Sequence, residues 1–288
     1  MTDPIPRDPV RVLLAGATGV IGRRLIPLLV GAGHQVTALT RRPDRAEALR
    51  RMGAEPAVAD ALDRDGLAAA VAAARPDVVV HQLTDLADAD VAANARVRTE
   101  GTRNLVDAAL AAGARRVVAQ SVTWCSAPGD GPAGEDVPLD LDAPEPRRTT
   151  VLGVAALEAA VREAPEWVVL RFGLFLGPGT WYAADGARAD DARAGRLPAT
   201  GDVASFVHVD DAADATVQAL GWPSAVVNVC DDEPVAGHVW VPAFCAAVGA
   251  PPPPVRDERA PWARGADNRR ARALGWAPRR PWRDAFGD

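Results

Sequence analysis

The 288 residues carry 32 basic and 38 acidic side chains, a net charge of −6 with no basic stripe, which argues against nucleic acid as a partner. No apolar run reaches the roughly 18 residues of a membrane span, and the opening MTDPIPRDPVR lacks the charged-then-apolar plan of a secretory signal. We therefore expect a cytoplasmic protein with no membrane partner. Cys125, Cys230 and Cys245 are scattered, without metal-ligand spacing, and fit free thiols in a reducing compartment.

Taken in chain order, apolar runs alternate with helical patterns over the first 170 or so residues. VRVLLAG (10–16) is a first strand closed by glycine, and residues 20–32 read as a helix ending at Gly33. QVTALT (35–40) and PAVAD (56–60) are the next strands, followed by an alanine-rich helix at 64–74. DVVVHQL (77–83), a helix at 98–112, RRVVAQS (115–121), a helix at 149–161 and EWVVLRF (166–172) complete the series. Continuous Val/Leu strands between helices predict a parallel sheet covered on both faces, an α/β doubly wound Rossmann arrangement. A strand–helix–strand returns at 206–230. Residues 173–205 and 231–288, rich in Gly, Pro and Trp, are expected to form a smaller C-terminal substrate-binding lobe, leaving 1–172 plus 206–230 as the dinucleotide-binding domain.

GATGVIG (16–22) stands between the first strand and the first helix. Gly16 suits the tight turn, Gly19 the close approach of a pyrophosphate, and Gly22 close helix–strand packing. With Thr18, Val20 and Ile21 these residues form a cradle whose helix N-terminus attracts negative charge. A purely structural glycine turn is the alternative. At the end of the second strand an acid would bind the adenosine ribose and repel a 2′-phosphate. Here Thr40 takes that place and Arg41 and Arg42 follow, which predicts NADP(H), the arginines gripping the phosphate. The alternative is a solvated basic turn. Asp60 is placed to meet the adenine amino group, or else caps its own loop.

These segments resemble those of the extended and atypical short-chain dehydrogenases/reductases, the group of NAD-dependent epimerases and dehydratases. GATGVIG, VADALD (58–63), EGTRNLVDAA (100–109), LRFGLFLGPG (170–179), SFVHVDDAADA (205–215) and ARALGWAP (271–278) carry the resemblance almost end to end. It implies a nicotinamide cofactor across the sheet edge, with Ala61, Leu83, Arg171 and Phe172 also at the cofactor. It implies that Ser121 in QSVTW binds a substrate oxygen and also contacts the cofactor.

The chain departs from that pattern at one place. The tyrosine and lysine of the helix at 149–161 are replaced by Thr150 and Val154, in a register set by Glu158. No shift of register restores the pair, because all 32 basic residues are arginine. Reducing a ketone requires a proton for an alkoxide of pKa roughly 16, which threonine supplies poorly. Three readings follow. Another side chain gives the proton: Tyr182, the only tyrosine, or His208, whose bland roles are lid packing and loop support. Or the substrate supplies it, as a hydroxyquinone or phenol beside the carbonyl does. Or the chain is a non-catalytic NADP(H) sensor. The missing pair disfavours a nucleotide-sugar epimerase or dehydratase. The reading adopted is an NADPH-dependent ketoreductase of an aromatic polyketide of angucyclinone or quinone type, serving antibiotic biosynthesis. Its planar small-molecule substrate would meet Trp124, Trp181, Tyr182 and His208, with no metal.

Overall fold

The computed structural model describes residues 9–86 and 90–286. Its chain divides into two compact units, Met1–Ser121 with Leu141–Leu170 and Ala213–Val226, and Val122–Asp140 with Arg171–Ala212 and Val227–Asp288.

The first unit follows the alternation read from the sequence. Strand β1 (Arg11–Ala15) leads to α1 (Gly22–Gly31), β2 (Gln35–Thr40), α2 (Ala46–Arg51), β3 (Glu55–Val58) and α3 (Arg64–Ala74). Then come β4 (Val78–His81), α4 (Val91–Arg96), α5 (Thr102–Ala111), β5 (Arg116–Val122), α6 (Arg147–Val161) and β6 (Glu166–Phe172). The strands form a seven-stranded parallel sheet in the order β10-β6-β5-β4-β1-β2-β3, where β10 spans Ala225–Val229. The order reverses between β1 and β4, the crevice where open α/β sheets place their ligands. Alternate residues Leu13, Ala15, Val79, Val117 and Ala119 face Leu67, Val71, Leu105, Val106, Leu157 and Val161 of α3, α5 and α6 in one core. Leu14, Val80 and Val118, pointing the other way, are equally inaccessible, so both faces are covered.

The helix expected at 98–112 is part of a longer helical run that starts at Val91 and changes its winding once. Val97–Gly101 form a single π turn between α4 and α5, and the Thr102 hydroxyl bonds back to Val97 O at 3.4 Å.

The second unit holds β7 (Leu174–Leu176), α7 (Ala187–Arg193), β8 (Val203–Ala204), β9 (Phe206–His208) and β11 (Val235–Ala236). It also holds α9 (Gly237–Ala247), α10 (Arg269–Ala273) and α11 (Trp282–Phe286), while α8 (Val209–Gln218) runs from this unit into the first. Strand β9 pairs in parallel with β7, and β8 pairs antiparallel with β11. The core is aromatic: Phe206, Trp240, Phe244, Trp282 and Phe286 pack together. The boundary drawn from the sequence needs correcting. Residues 122–140 belong to this unit because Ala133 bridges to Ala266, and Asn228 donates to Glu135 and to Ala133 O. Residues 206–212 belong here too, β9 pairing outside the large sheet, and so do 227–230, although Val227–Val229 are the end of β10.

Candidate functional site

In the first unit the turn after β1 has the shape of an anion cradle. Gly16 adopts φ +86°, and a Cβ there would lie 2.4 Å from Gln82 O, because β4 ends directly against the turn. A Cβ on Gly22 would lie 2.3 Å from Gly16 O, so only glycine lets α1 start so close to β1. A Cβ on Gly19 would meet only Gly16 O, at 3.2 Å, so the outer side of the turn is open. Thr18 and Gly19 are exposed, Val20 is partly so, and the Ile21 side chain is buried, leaving its backbone to face the cradle. No side chain caps α1, and its first turn holds no acid. An uncapped helix start without acids is the donor set that a pyrophosphate requires. The residues present therefore fit a dinucleotide.

At the end of β2, Thr40 is buried and its hydroxyl accepts from Arg42 N at 3.1 Å, which fixes the turn. Arg42 grips Asp44 with two bonds of 3.1 and 2.8 Å, holding that carboxyl below its ordinary range, and Arg41 reaches Asp85 at 3.4 Å. Both arginines are largely exposed. Pairs of this kind hold weakly and exchange readily for a phosphate. Asp60 is exposed, and its Oδ1 accepts from Leu62 N at 2.9 Å, the loop-capping role the sequence left open. Ala61 beside it is buried and its carbonyl accepts from Asn104 Nδ2 at 2.9 Å.

Beyond β4, Leu83 N donates to His81 Nδ1 at 3.2 Å, which fixes the proton on Nε2, and Nε2 lies 2.8 Å from Thr102 Oγ1. Burial, with Arg98 nearby, pushes His81 down to about 4, so the imidazole is neutral. Next to it Gln82 is buried, and among the described residues neither amide atom has a hydrogen-bond partner.

Ser121 is the penultimate residue of β5, buried, and its hydroxyl donates to Glu158 Oε1 at 2.9 Å. Glu158 lies inside α6, and its Oε2 faces Arg162 at 3.4 Å. Thr150, Val154 and Glu158 are spaced four apart, so they line one stripe of α6. That stripe carries a half-buried hydroxyl, a buried isopropyl group and the serine's partner. It contains no ammonium and no phenol.

The remaining candidates lie in the second unit. Trp124 is half-buried in the turn Thr123–Cys125, and Trp181 is 44% exposed. Tyr182 packs edge-on against Phe206, Trp240 and Phe244 at 5.4–5.8 Å, so its ring belongs to the aromatic core. Burial pushes its phenol up, making it a poorer acid than an exposed tyrosine. His208 accepts from Asp210 N at 3.2 Å, and a Cβ on Gly177, at φ +100°, would fall 2.5 Å from its Nε2. Arg171 and Phe172 are buried, the latter against Phe175.

Sequence reasoning passed over His81, Gln82, Thr102 and Asn104 and used Glu158 only to set a register. The available signal was polarity in the wrong place: a histidine and a glutamine closing an apolar strand must be paired or kept for a ligand.

The family model described as the NAD-dependent epimerase/dehydratase family matches residues 12–230. A Streptomyces protein named 3-diazoavenalumate denitrifying reductase is 47% identical, over 96% of this chain and 99% of its own. A 2-alkyl-3-oxoalkanoate reductase of Stenotrophomonas maltophilia is 30% identical, over 84% of this chain and 77% of its own. Among solved structures, the Bordetella bronchiseptica enzyme WbmG in complex with NAD and UDP superposes with a TM-score of 0.78 at 23% identity, covering 97% of this chain and 92% of that one. The motifs, the sheet order and the matched span agree: the chain belongs to the NAD-dependent epimerase/dehydratase family.

Proposed function

We propose that the protein is a nicotinamide-dependent reductase that replaces the diazo group of an aromatic substrate by hydrogen. The observation that carries this reading is the stripe Thr150, Val154, Glu158 on α6, in a chain with no lysine. When bound, the dinucleotide supplies a hydride, and the balance is R–N2+ plus NADPH giving R–H, N2 and NADP+. No proton appears on either side. A carbonyl would leave an alkoxide of pKa roughly 16 needing one. A diazonium accepts the hydride and leaves two neutral products, so a site without a general acid suffices. The relative at 47% identity bears a name that describes a reductive loss of nitrogen from a diazo compound.

The chain's part is to bind and orient. Gly16, Thr18, Gly19, Val20, Ile21 and Gly22 would hold the pyrophosphate. Asp60, Ala61 and Leu83 would border the dinucleotide, with Arg41 and Arg42 on a 2′-phosphate, hence NADPH rather than NADH. Trp181 and Trp124 are offered to a planar ligand. The buried free thiols Cys125, Cys230 and Cys245 suit the cytosol.

The test is reduction of benzenediazonium with NADPH, following cofactor absorbance and evolved N2. One N2 per NADPH is expected. Turnover without N2, or none, would overturn the reading. Thr150→Val should keep the rate within about threefold. A loss above a hundredfold, the scale of one general acid, would make Thr150 the proton donor. Arg41→Ala with Arg42→Ala should abolish the preference for NADPH over NADH, and an unchanged preference would sink the phosphate assignment.

A second reading is reduction of an aromatic polyketide ketone with the proton drawn from the substrate's own phenol; the relative named 2-alkyl-3-oxoalkanoate reductase supports only its ketone-reducing part. It requires turnover of a hydroxyquinone and failure of its methylated ether.

A further inference from the structure

We infer that Glu158 sets Ser121 as a hydrogen-bond acceptor, so that the site favours an electron-poor, positively charged group over a carbonyl. This rests on the diazo reading above and narrows its substrate class. A serine hydroxyl has one proton and two lone pairs. Here the proton points at Glu158 Oε1, 2.9 Å away, and a carboxylate only accepts. Both residues are at least nine-tenths buried, so water does not compete for the bond. What Ser121 Oγ offers to a ligand is therefore a lone pair, with electron density reinforced by the carboxylate behind it.

A carbonyl oxygen needs a donor. To give one, Ser121 must turn away from Glu158 and leave a buried carboxylate short of a charge-assisted bond. On the stripe itself, Val154 has no polar atom, and Thr150 is two turns from Glu158. A diazonium needs no donor. Its positive nitrogens meet the lone pair with the Ser121–Glu158 bond intact. Arg162 steadies Glu158 from Oε2 at 3.4 Å without approaching Oε1's role. Glu158 is in this sense a positioning residue acting through Ser121.

The experiment uses the full chain loaded with NADP+, so that no hydride is available, and titrates N-methylpyridinium and benzaldehyde by calorimetry. The native protein is expected to prefer the cation by tenfold or more. Glu158→Gln should cut that preference at least tenfold, Glu158→Asp should restore part of it, and Ser121→Ala, which leaves the carboxylate in place, should also reduce it. Circular dichroism establishes that each variant is folded, and Ser121→Ala serves if Glu158→Gln is not. A purely structural role would weaken both ligands equally. That result, or an unchanged preference, overturns the inference. The two readings fail separately: preference for the cation without N2 release from benzenediazonium defeats the proposed function alone, and N2 release with no Glu158-dependent preference defeats this inference alone.

Discussion

Gln82 directly follows β4, its backbone against Gly16, and is buried with its amide nitrogen and oxygen both without partners among the described residues. Folding leaves such groups unsatisfied at a cost of about 1–3 kcal/mol each. Gln82→Leu keeps the volume and removes both atoms. It is expected to stabilise the ligand-free protein by about 1–3 kcal/mol, read as a higher urea midpoint at unchanged m value. A lower midpoint would mean the amide is satisfied in solution. Ser121 shows the complementary case. Its hydroxyl proton is committed to Glu158, and that partner, not the serine itself, determines which ligand atoms the remaining lone pair suits.

At the scale of elements, the helix carrying EGTRNLVDAA organises two loops of the first unit. The π turn packs against Ala61 at Gly101, where an added methyl would stand 3.4 Å from the Ala61 Cβ, in ordinary contact. Thr102 takes the His81 Nε2 proton, and Asn104 holds Ala61 O. Asn104→Ala should therefore loosen the segment after β3 and weaken NADP+ about three- to tenfold, the worth of one hydrogen bond. Fluorescence titration measures it, and unchanged affinity would show that the loop holds itself. In the second unit Asp211 performs the anchoring. It is 1% exposed and accepts from Arg279 N, Arg280 N and Arg280 Nη1, while its carbonyl takes the Trp276 indole proton. This explains why ARALGWAP lies where it does. Asp211→Ala is expected to destabilise by about 2–4 kcal/mol. That is below the cost of breaking a fully buried pair, because Arg280 is half exposed and partly screened. A change under about 1 kcal/mol in urea unfolding would mean the tail is held by its tryptophans.

At the scale of the molecule, the large sheet was legible because its strands are apolar runs of the right length between helical patterns, a local signal. The tight glycine turn was legible because glycines between a strand and a helix leave few alternatives. The unit boundary was not: residues 122–140 join the second unit through pairings more than 90 residues away, such as Asn228 with Ala133 O. The π turn and the Ser121–Glu158 bond were also hidden, being set by packing. Nor did the pattern around VVVHQL reveal that His81 is kept neutral. That last fact bears directly on the acid stability of the chain. Burial holds the folded histidine down to about 4, against 6.5 for the unfolded one. Between those values the unfolded chain binds a proton that the folded chain refuses, so stability falls as pH drops through this window and levels off below it. The full loss is roughly 3 kcal/mol. Asp231, raised by burial, acts in the opposite sense: the folded chain takes up its proton first as the solution is acidified, which returns some stability toward the carboxylate range. Asp77, lowered by its bond to Arg11, is half exposed and adds a smaller loss at lower pH still. His34, also lowered by its burial, adds a loss of the same sign in this window, so the two histidines together set its upper part, with His81 the more deeply shifted. Urea unfolding at about pH 7.5, 6.5 and 5 should show a steady decline for the native chain, and His81→Gln should flatten it while lowering stability at neutral pH. An equally steep decline in that variant would assign the acid sensitivity to another group.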